Sequence, residues 1–93
     1  MLINMKIFSL FAGRHELPSN LGPICESFDF VNKRVNKSDL YDEAVAYNGT
    51  VKLYVTGLTP ALTQFLAERM KGSSPTVLLH FDNSTNSYWE QSL

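Results

Sequence analysis

Residues 53–66 read LYVTGLTPALTQFL and combine the end of a β-strand with the start of a helix. The wider segment TVKLYVT, residues 50–56, alternates apolar and polar side chains, which is typical of a half-buried strand. Gly57 breaks this strand. We expect Thr59 to cap the following helix and Pro60 to occupy its first position, where proline is favoured. A strand that leads directly into a helix indicates an α/β unit.

The helix after this turn carries an apolar stripe at 3.6-residue spacing and ends at a glycine. The stripe consists of Ala61, Leu62, Phe65, Leu66 and Met70. Glu68, Arg69 and Lys71 are expected to face solvent. The apolar run PTVLLHFD, residues 75–82, predicts a buried strand. Segment 50–82 is therefore a βαβ unit, and its two strands should be parallel with a right-handed crossover.

Segments on both sides extend this unit. MKIFSLFA, residues 5–12, is predicted as the first strand, and SDLYDEAVAYNG, residues 38–49, as a helix with Ser38 as its N-cap. The turn NSTN leads into a returning strand, SYWEQ, at residues 87–91. The sequence predicts a single α/β domain over residues 1–93. We expect a small, mostly parallel sheet of about four strands with two to three helices and a C-terminal antiparallel edge strand.

The segment between the first strand and the first helix is rich in turn formers. GRHELPSNLGPICESFDF, residues 13–30, places two prolines, a glycine, a serine and an asparagine within six positions, which indicates a loop. Short extended pieces are expected at IC and FDFV. A loop of this length that leaves the end of a strand is usually functional or disordered.

Composition and charge limit the classes of ligand. The net charge is −1, and the eight Lys and Arg residues are scattered apart from Lys33, Arg34 and Lys37. This pattern lacks the footprint of a duplex-DNA-binding domain, but two or three cations suffice for a small phosphate-bearing ligand. Cys25 is the only cysteine, which leaves neither a disulfide nor a cysteine zinc motif, and we expect it to be a buried small apolar residue.

The chain has no apolar run of membrane-spanning length, and its short N-terminal run lacks a basic region before it. We therefore expect a cytoplasmic protein with no membrane contact. The sequence also gives no reason to expect a metal ion or another cofactor. Its two histidines are far apart in the chain, and its single cysteine cannot form a cysteine zinc motif with them.

The turn after the strand at residues 50–56 is the first candidate site. In an open α/β sheet, ligands bind outside the carboxyl ends of the strands, and a helix N-terminus attracts anions. The ligand-binding candidates here are Thr56, Gly57, Leu58 and Thr59. The backbone N–H groups of Ala61 and Leu62 are expected to be free beside them. The alternative is that this turn only ends a strand and begins a helix.

The segment GRHELP, residues 13–18, is the second candidate. If the first strand is parallel to the strand at 50–56, Arg14 and His15 emerge at the same sheet edge as the turn after that strand. Arginine grips phosphate oxygens, and histidine donates a hydrogen bond or performs acid–base chemistry. The alternative is a solvated loop in which Arg14 pairs with Glu16.

Aromatic residues and one histidine lie within the predicted strands. His80 is interpreted as a core or second-face histidine satisfied by one hydrogen bond. Tyr54, Tyr88 and Trp89 could stack on a nucleobase, but we favour a homodimer interface, where aromatic residues are enriched, as the role of this group. Because adjacent strand residues alternate in direction, Tyr88 and Trp89 should point to opposite faces of the sheet.

The pattern KLYVTGLTPALTQFLAE followed by TVLLHFD resembles the nucleotide-contacting half of CRISPR-associated Rossmann-fold (CARF) domains. It is also similar to the small ring-nuclease and nucleotide-sponge proteins of bacteria and phages. The resemblance implies a dimeric α/β scaffold whose strand-end loops hold a cyclic oligonucleotide across the two-fold axis. It further implies that residues 56–59 form the phosphate-contacting loop.

These observations lead to one expected function and two alternatives. The expected function is sequestration of a cyclic or short oligonucleotide signal by a small homodimer. If the protein cleaves its ligand, His15 is the catalytic candidate of a metal-independent, ring nuclease-like phosphodiesterase. The first alternative is a protein-interaction module, such as a phage-encoded inhibitor of a host defence enzyme, that uses its aromatic strand and the NKRVNK loop. The second alternative is a structural small subunit.

Overall fold

The computed structural model describes residues 4–13 and 16–93, which form six strands and two helices. In chain order the elements are β1 (Met5–Ser9), β2 (Cys25–Asp29), β3 (Arg34–Lys37), α1 (Tyr41–Ala46), β4 (Thr50–Tyr54), α2 (Thr59–Arg69), β5 (Thr76–Asp82) and β6 (Ser87–Ser92). Four of the strands form one sheet in the order β1-β4-β5-β6, while β2 and β3 form a separate antiparallel pair.

The main sheet is mixed. β4 lies parallel to both β1 and β5, and β6 returns antiparallel to β5. The predicted α/β class, the four-strand sheet and the antiparallel C-terminal edge strand are confirmed, whereas the sheet is mixed rather than mostly parallel and a separate two-strand sheet accompanies it. The number of helices is two, at the lower end of the predicted range. Each parallel connection contains one of these helices, as expected for strands that must run in the same direction.

The β2–β3 hairpin is the part of the fold that the sequence analysis missed. β2 lies within the predicted loop at residues 13–30, where only short extended pieces were expected, and β3 lies in the NKRVNK segment. The turn between them is held by Asp29, whose carboxylate accepts hydrogen bonds from the N–H groups of Val31 and Asn32. The side-chain amide of Asn32 donates to the same carboxylate at 2.8 Å, and this bond, with the two N–H bonds, lowers the pKa of Asp29 below its usual value.

The segment before this hairpin covers the outer edge of β1. The N–H of Leu21 donates to the carbonyl of Ile7 at 2.8 Å, and the N–H of Ser9 donates to that of Gly22 at 3.0 Å. The N–H of Ile24 in turn donates to the carbonyl of Ser9 at 2.8 Å. One outer edge of the main sheet is therefore satisfied by the chain itself, and β6 forms the opposite edge.

The strand register assigns the side chains to two faces. Phe8, Leu53 and Leu78 are paired across β1, β4 and β5, so they share one face of the sheet. All three are buried in the same core cluster as Ala44 of α1 and Phe65 of α2. Both helices therefore pack on this face, which we call the helical face. Residues one position along each strand lie on the opposite face.

Arg69 is buried at the end of α2, although it was predicted to face solvent. Only 3% of the residue is exposed. Its Nε donates to the hydroxyl of Thr76 at 2.8 Å. Its two Nη atoms donate to five backbone carbonyls, those of Ala44, Val45, Tyr47, Gly49 and Pro75. The prediction was wrong because position 69 continues the buried spacing of Ala61 and Phe65, and the neighbouring carbonyls make the burial of a cation tolerable.

The predicted helix caps are also corrected. The N-cap of α2 is Leu58, and no side chain caps this helix, so Thr59 is its first residue rather than its cap. The N-cap of α1 is Leu40, again without a side-chain cap. The hydroxyl of Ser38 instead accepts a hydrogen bond from the N–H of Leu40 at 3.1 Å, one step before the helix. Helix α1 therefore begins later than its predicted cap indicated, whereas α2 begins one residue earlier.

Replacing Arg69 by methionine should strongly destabilise the fold, because it leaves buried carbonyl groups without donors. We expect a loss of about 3–5 kcal/mol in the free energy of unfolding, the range typical for breaking a buried polar network. Chemical denaturation of Arg69→Met against wild type measures this loss. The control is Lys71→Met, which removes an exposed cation nearby and should change stability by less than about 0.5 kcal/mol. Equal effects of the two substitutions would contradict the role of Arg69.

Cys25 is fully buried, as expected, and this burial raises the pKa of its thiol to about 11 from an ordinary value of 9.0. The thiol therefore ionises at a lower pH in the unfolded chain than in the folded chain. Its contribution to stability is complete below about pH 9 and is lost as the pH rises towards 11. We expect Cys25→Ala to lose less stability than wild type between these two pH values. Parallel stability–pH curves for the two proteins would refute this assignment.

Candidate functional site

The turn after β4 and the segment after β1 are joined at the carboxyl ends of these parallel strands. The hydroxyl oxygen of Thr56 accepts a hydrogen bond from the N–H of Phe11 at 3.0 Å and donates one to the carbonyl of the same residue at 2.7 Å. The prediction that the two segments share one edge of the sheet is confirmed. Thr56 thus connects the two loops directly.

Gly57 is required by both backbone conformation and packing. Its φ angle is +87°, in the region that favours glycine. A Cβ atom at this position would lie 2.5 Å from Cδ2 of the Phe11 ring. Phe11 therefore makes two kinds of contact with the turn, through its backbone at Thr56 and through its ring at Gly57. The main role visible for these two turn residues is to hold the segment after β1 in place.

The start of α2 is more closed than the sequence indicated. The N–H groups of Ala61 and Leu62, which were expected to be free, both donate to the carbonyl of Leu58, at 3.2 and 3.4 Å. Leu58 and Thr59 themselves are exposed. Phosphate binding by residues 56–59 therefore stays a prediction that rests on the exposed part of the turn rather than on the hydroxyl of Thr56.

Two of the predicted site residues, Arg14 and His15, lie outside the residues that the structure describes. Their neighbours on the C-terminal side, residues 16–18, are described and line a cavity. The predicted roles of Arg14 in phosphate binding and of His15 in binding or catalysis stay predictions.

The cavity has a volume of about 770 Å³ and lies at the carboxyl end of β5. Segment 16–18 forms one wall and the β5–β6 hairpin forms the other. The lining residues are Glu16, Leu17, Pro18, Phe81, Asn83, Asn86 and Tyr88. In an open α/β sheet this is the edge where ligands bind, and the volume falls in the usual range for small-molecule sites.

Aromatic rings form the floor of the cavity on the face opposite the helices. The ring centroids of Phe81 and Tyr88 are 5.2 Å apart. Tyr54 packs edge-on against Tyr88 at 4.8 Å and is itself buried. Burial also raises the pKa of Tyr54, so its phenol stays neutral at ordinary pH. Phe81, in contrast, is 45% exposed and presents much of its ring to solvent.

The turn between β5 and β6 supplies the polar groups. The carboxylate of Asp82 accepts hydrogen bonds from the N–H of Ser84 at 2.9 Å and from its hydroxyl at 2.7 Å, and these bonds lower the pKa of Asp82. Asn86 has a φ angle of +52°, which asparagine adopts more readily than most residues. The turn therefore has a defined shape that places two carboxamides, those of Asn83 and Asn86, at the cavity wall.

The lining favours an uncharged, planar partner. Glu16 is the only Asp, Glu, Lys or Arg among the described lining residues. Carboxamides offer both donors and acceptors, and aromatic rings offer stacking surfaces. This combination suits a heterocycle of the nucleobase type better than it suits a bare phosphate.

Trp89 lies on the other face of β6, as the alternation of strand residues predicted. It pairs with His80 across the strands, and the two rings stack at 4.6 Å. His80 makes one side-chain hydrogen bond, between its Nε2 and the amide oxygen of Gln91, in agreement with the expected structural role. The three aromatic candidates therefore lie on two different faces of the sheet. Tyr54 and Tyr88 lie on the face that bears the cavity, whereas Trp89 lies on the helical face.

Sequence reasoning identified segment 13–18 as a candidate but did not identify Phe81, Asn83 or Asn86 as parts of a site. The NSTN turn was recognised only as a turn, and Phe81 only as part of an apolar strand. The available signal was the position of this asparagine-rich turn at the carboxyl end of a strand. That position indicates a site only because, in the folded protein, the β5–β6 hairpin and segment 16–18 line the same cavity.

Neither the chemistry of the described residues nor comparison with known proteins supplies a familiar site. Within residues 4–13 and 16–93, no group of three or more His, Cys, Asp or Glu side chains could hold a metal ion. No helix in these ranges has the length and apolar character needed to cross a membrane. No protein family, curated protein or solved structure matches this chain. Function is therefore inferred from the cavity.

Thr56→Val should destabilise the protein by about 1–3 kcal/mol, because it keeps the side-chain shape but leaves the N–H and carbonyl of Phe11 without their partner. Thr56→Ser retains the hydroxyl and should lose less. Urea denaturation of the three proteins measures the difference. A valine variant as stable as wild type would show that the bonds between Thr56 and Phe11 do not hold the two loops together.

Proposed function

We propose that this protein binds a small nucleotide-type ligand and seats its planar base in the cavity between segment 16–18 and the β5–β6 hairpin. The observation that carries this proposal is the composition of the cavity. Two aromatic rings and two carboxamides line a space of about 770 Å³ at the ligand-binding edge of an α/β sheet. A single nucleotide is well within the ligand size that such a volume accepts.

The β5–β6 hairpin supplies both the stacking surface and the groups that recognise the edge of the base. The exposed ring of Phe81 and the neighbouring ring of Tyr88 supply apolar surface, and stacking of one base on an aromatic ring contributes about 1–3 kcal/mol. Asn83 and Asn86 read the hydrogen-bonding edge of the base. Because a carboxamide both donates and accepts, these residues can match any of the common bases.

The phosphate of the ligand lies, in this proposal, towards the exposed residues of the turn after β4. Leu58 and Thr59 stand at the N-terminus of α2, an eleven-residue helix with no acidic side chain in its first turn. The positive end of the helix dipole favours an anion there. Thr56 and Gly57 shape this turn through their contacts with Phe11. Among nucleotide-type ligands, we propose a cyclic or short oligonucleotide, as the CARF resemblance implies.

We favour sequestration of this ligand over its cleavage. Glu16 and the phenol of Tyr88 are the only ionisable side chains among the described lining residues. Phosphodiester cleavage needs acid–base groups and stabilisation of the developing charge. Cleavage is the alternative form of this function, with His15 as the acid–base residue.

The tip of the β2–β3 hairpin favours a second candidate function, binding to a protein partner. Phe30 is 63% exposed and Val31 is 88% exposed, which is unusual for adjacent apolar residues. Lys33 and Arg34 flank them on the same tip. A partner with an apolar pocket and an acidic rim, such as the surface of a host defence enzyme, would match this chemistry.

Ligand binding can be tested by thermal unfolding with a panel of mononucleotides and cyclic di-, tri- and tetranucleotides. A ligand that binds only the native state must raise the melting temperature. We expect at least one member of the panel to do so, and we expect Phe81→Ala to weaken its binding by about tenfold or more, as loss of one stacking ring predicts.

The matched control is Met5→Ala, which removes an apolar side chain of nearly the same exposure, 46% against 45%, outside this cavity. It should leave the shift unchanged. No shift across the whole panel would overturn the nucleotide proposal. An equal loss of affinity in both variants would place the ligand elsewhere.

A further inference from the structure

Strand β6 is an outer edge of the main sheet with unused backbone hydrogen-bonding groups. Within the described chain it pairs with β5 alone. The N–H of Leu93 donates to the carbonyl of Thr76 at 3.0 Å, in register with the β5–β6 pairs. In an antiparallel ladder such hydrogen-bonded pairs recur at every second residue. The N–H and carbonyl groups of Tyr88, Glu90 and Ser92 therefore point away from β5, towards the outside of the sheet.

Within the part of the chain that the structure describes, this edge carries few of the devices that normally prevent two strands from joining. Natural edge strands are protected by lysine, by proline, by a bulge or by a covering segment. SYWEQS contains neither lysine nor proline, and the pairing of β6 with β5 runs without a break from Ser87 to Ser92. The other outer edge of the same sheet, that of β1, is covered by segment 21–25. The two outer edges therefore differ, and that of β6 can accept a further strand.

The charge of this edge permits that partner to be an identical strand. Glu90 is the only charged residue of β6, and its carboxylate lies 2.6 Å from the ammonium of Lys52. The edge therefore carries no net charge. A strand with an unpaired charge would repel a second copy of itself, whereas a neutral strand does not.

Trp89 lies in the middle of β6 and is half exposed. Its ring stacks on His80, yet 51% of the residue remains open to solvent. Tryptophan is among the residues most enriched at the energetic centre of protein interfaces. An exposed tryptophan at the midpoint of an unprotected edge is the arrangement expected where two strands meet.

We propose that a second copy of this chain binds along β6, so that the two β6 strands pair antiparallel around a two-fold axis at Trp89. Such an axis stands perpendicular to the sheet, so the helical faces of the two copies lie side by side. The two helical faces lie on the same side only if each residue of β6 pairs with the identical residue of the other copy, or with a residue an even number of positions from it. Centring the axis on Trp89 places the two tryptophan rings opposite each other, in a pair that shares no backbone hydrogen bonds.

This register satisfies the outward backbone groups and avoids a charge conflict. Tyr88 of each copy faces Glu90 of the other, and both residues direct their N–H and carbonyl groups outward, so these pairs are hydrogen-bonded. Centring the axis on Glu90 would place two carboxylates directly opposite each other, which is destabilising. Centring it on Tyr88 would draw the turn residue Asn86 into the ladder, although its φ of +52° is not that of a strand.

The pairing has a consequence for the cavity. It extends two four-strand sheets into one of eight strands, and it brings Glu90 of each copy, together with the Lys52 that it binds, beside Tyr88 of the other. The second copy thus contributes charged groups near a site whose described lining contains a single carboxylate. The dimer rests on β6 itself and does not depend on the proposed ligand.

Opposite charges at position 89 test both the dimer and its register. Trp89→Lys and Trp89→Glu each place like charges on the two-fold axis, and we expect each variant to dissociate at least about tenfold more readily than wild type. When the two variants are mixed, lysine faces glutamate and a heterodimer should form. Sedimentation velocity over a range of protein concentrations measures all four samples.

The control is Met70→Lys, which introduces a lysine at an apolar residue of similar exposure, 45%, at the end of α2. It should dimerise as wild type does. Circular dichroism checks that every variant is folded. If the Trp89 variants fail to fold, Glu90→Pro removes one outward N–H without touching the β5–β6 ladder, and it should abolish dimerisation where Glu90→Gln does not. A wild-type protein that stays monomeric at all concentrations would overturn the proposal, as would variants that dissociate but do not rescue each other.

Discussion

The buried guanidinium of Arg69 is the interaction on which the arrangement of the two helices depends. Its acceptors come from the end of α1, from the link between α1 and β4, and from the link between α2 and β5. One side chain at the end of a helix therefore fixes both of the connections that enter the parallel strands from their amino ends. Burial lowers the pKa of Arg69, but arginine stays charged, so its hydrogen bonds are charge-assisted and each is stronger than a neutral bond.

The contrast between α2 and the β2–β3 hairpin shows how far the sequence could predict this fold. The strand–helix–strand unit was predictable because its apolar residues follow two clear periods, and the burial of Phe65 and Leu53 confirms both. The role of Arg69 was missed because amphipathic patterns assign cations to solvent, although its spacing from Phe65 indicated the buried side. β3 was missed because Val35 is the only apolar residue of RVNK. Its strand conformation depends on pairing with β2 rather than on local propensity.

The meeting of two loops at one edge of the sheet was predicted, but the residues that line the cavity were not. The sequence placed a site at the carboxyl edge of the sheet, and the hydrogen bonds between Thr56 and Phe11 confirm that two loops meet there. It could not show that the hydroxyl of Thr56 is already engaged, because Phe11 lies 45 residues away in the chain. Nor could it show that Asn83 and Pro18 line the same cavity, since they are far apart in the chain and come to one cavity only in the folded protein. The residues that line a site between loops are determined by tertiary packing, which local sequence patterns do not show.

Strand β6 belongs to both of the surfaces to which we assign a function. Tyr88 lines the cavity on one face, while Trp89 points from the other face at the edge where a second copy would bind. A ligand that stacks on Tyr88 restricts the strand that must pair with its counterpart, and pairing restricts the ring on which the ligand stacks. If each event favours the other, linkage requires the effect to be reciprocal: the factor by which the ligand tightens the dimer equals the factor by which dimerisation tightens ligand binding. In that case a six-residue strand would couple the proposed ligand site to the proposed interface without any change of fold.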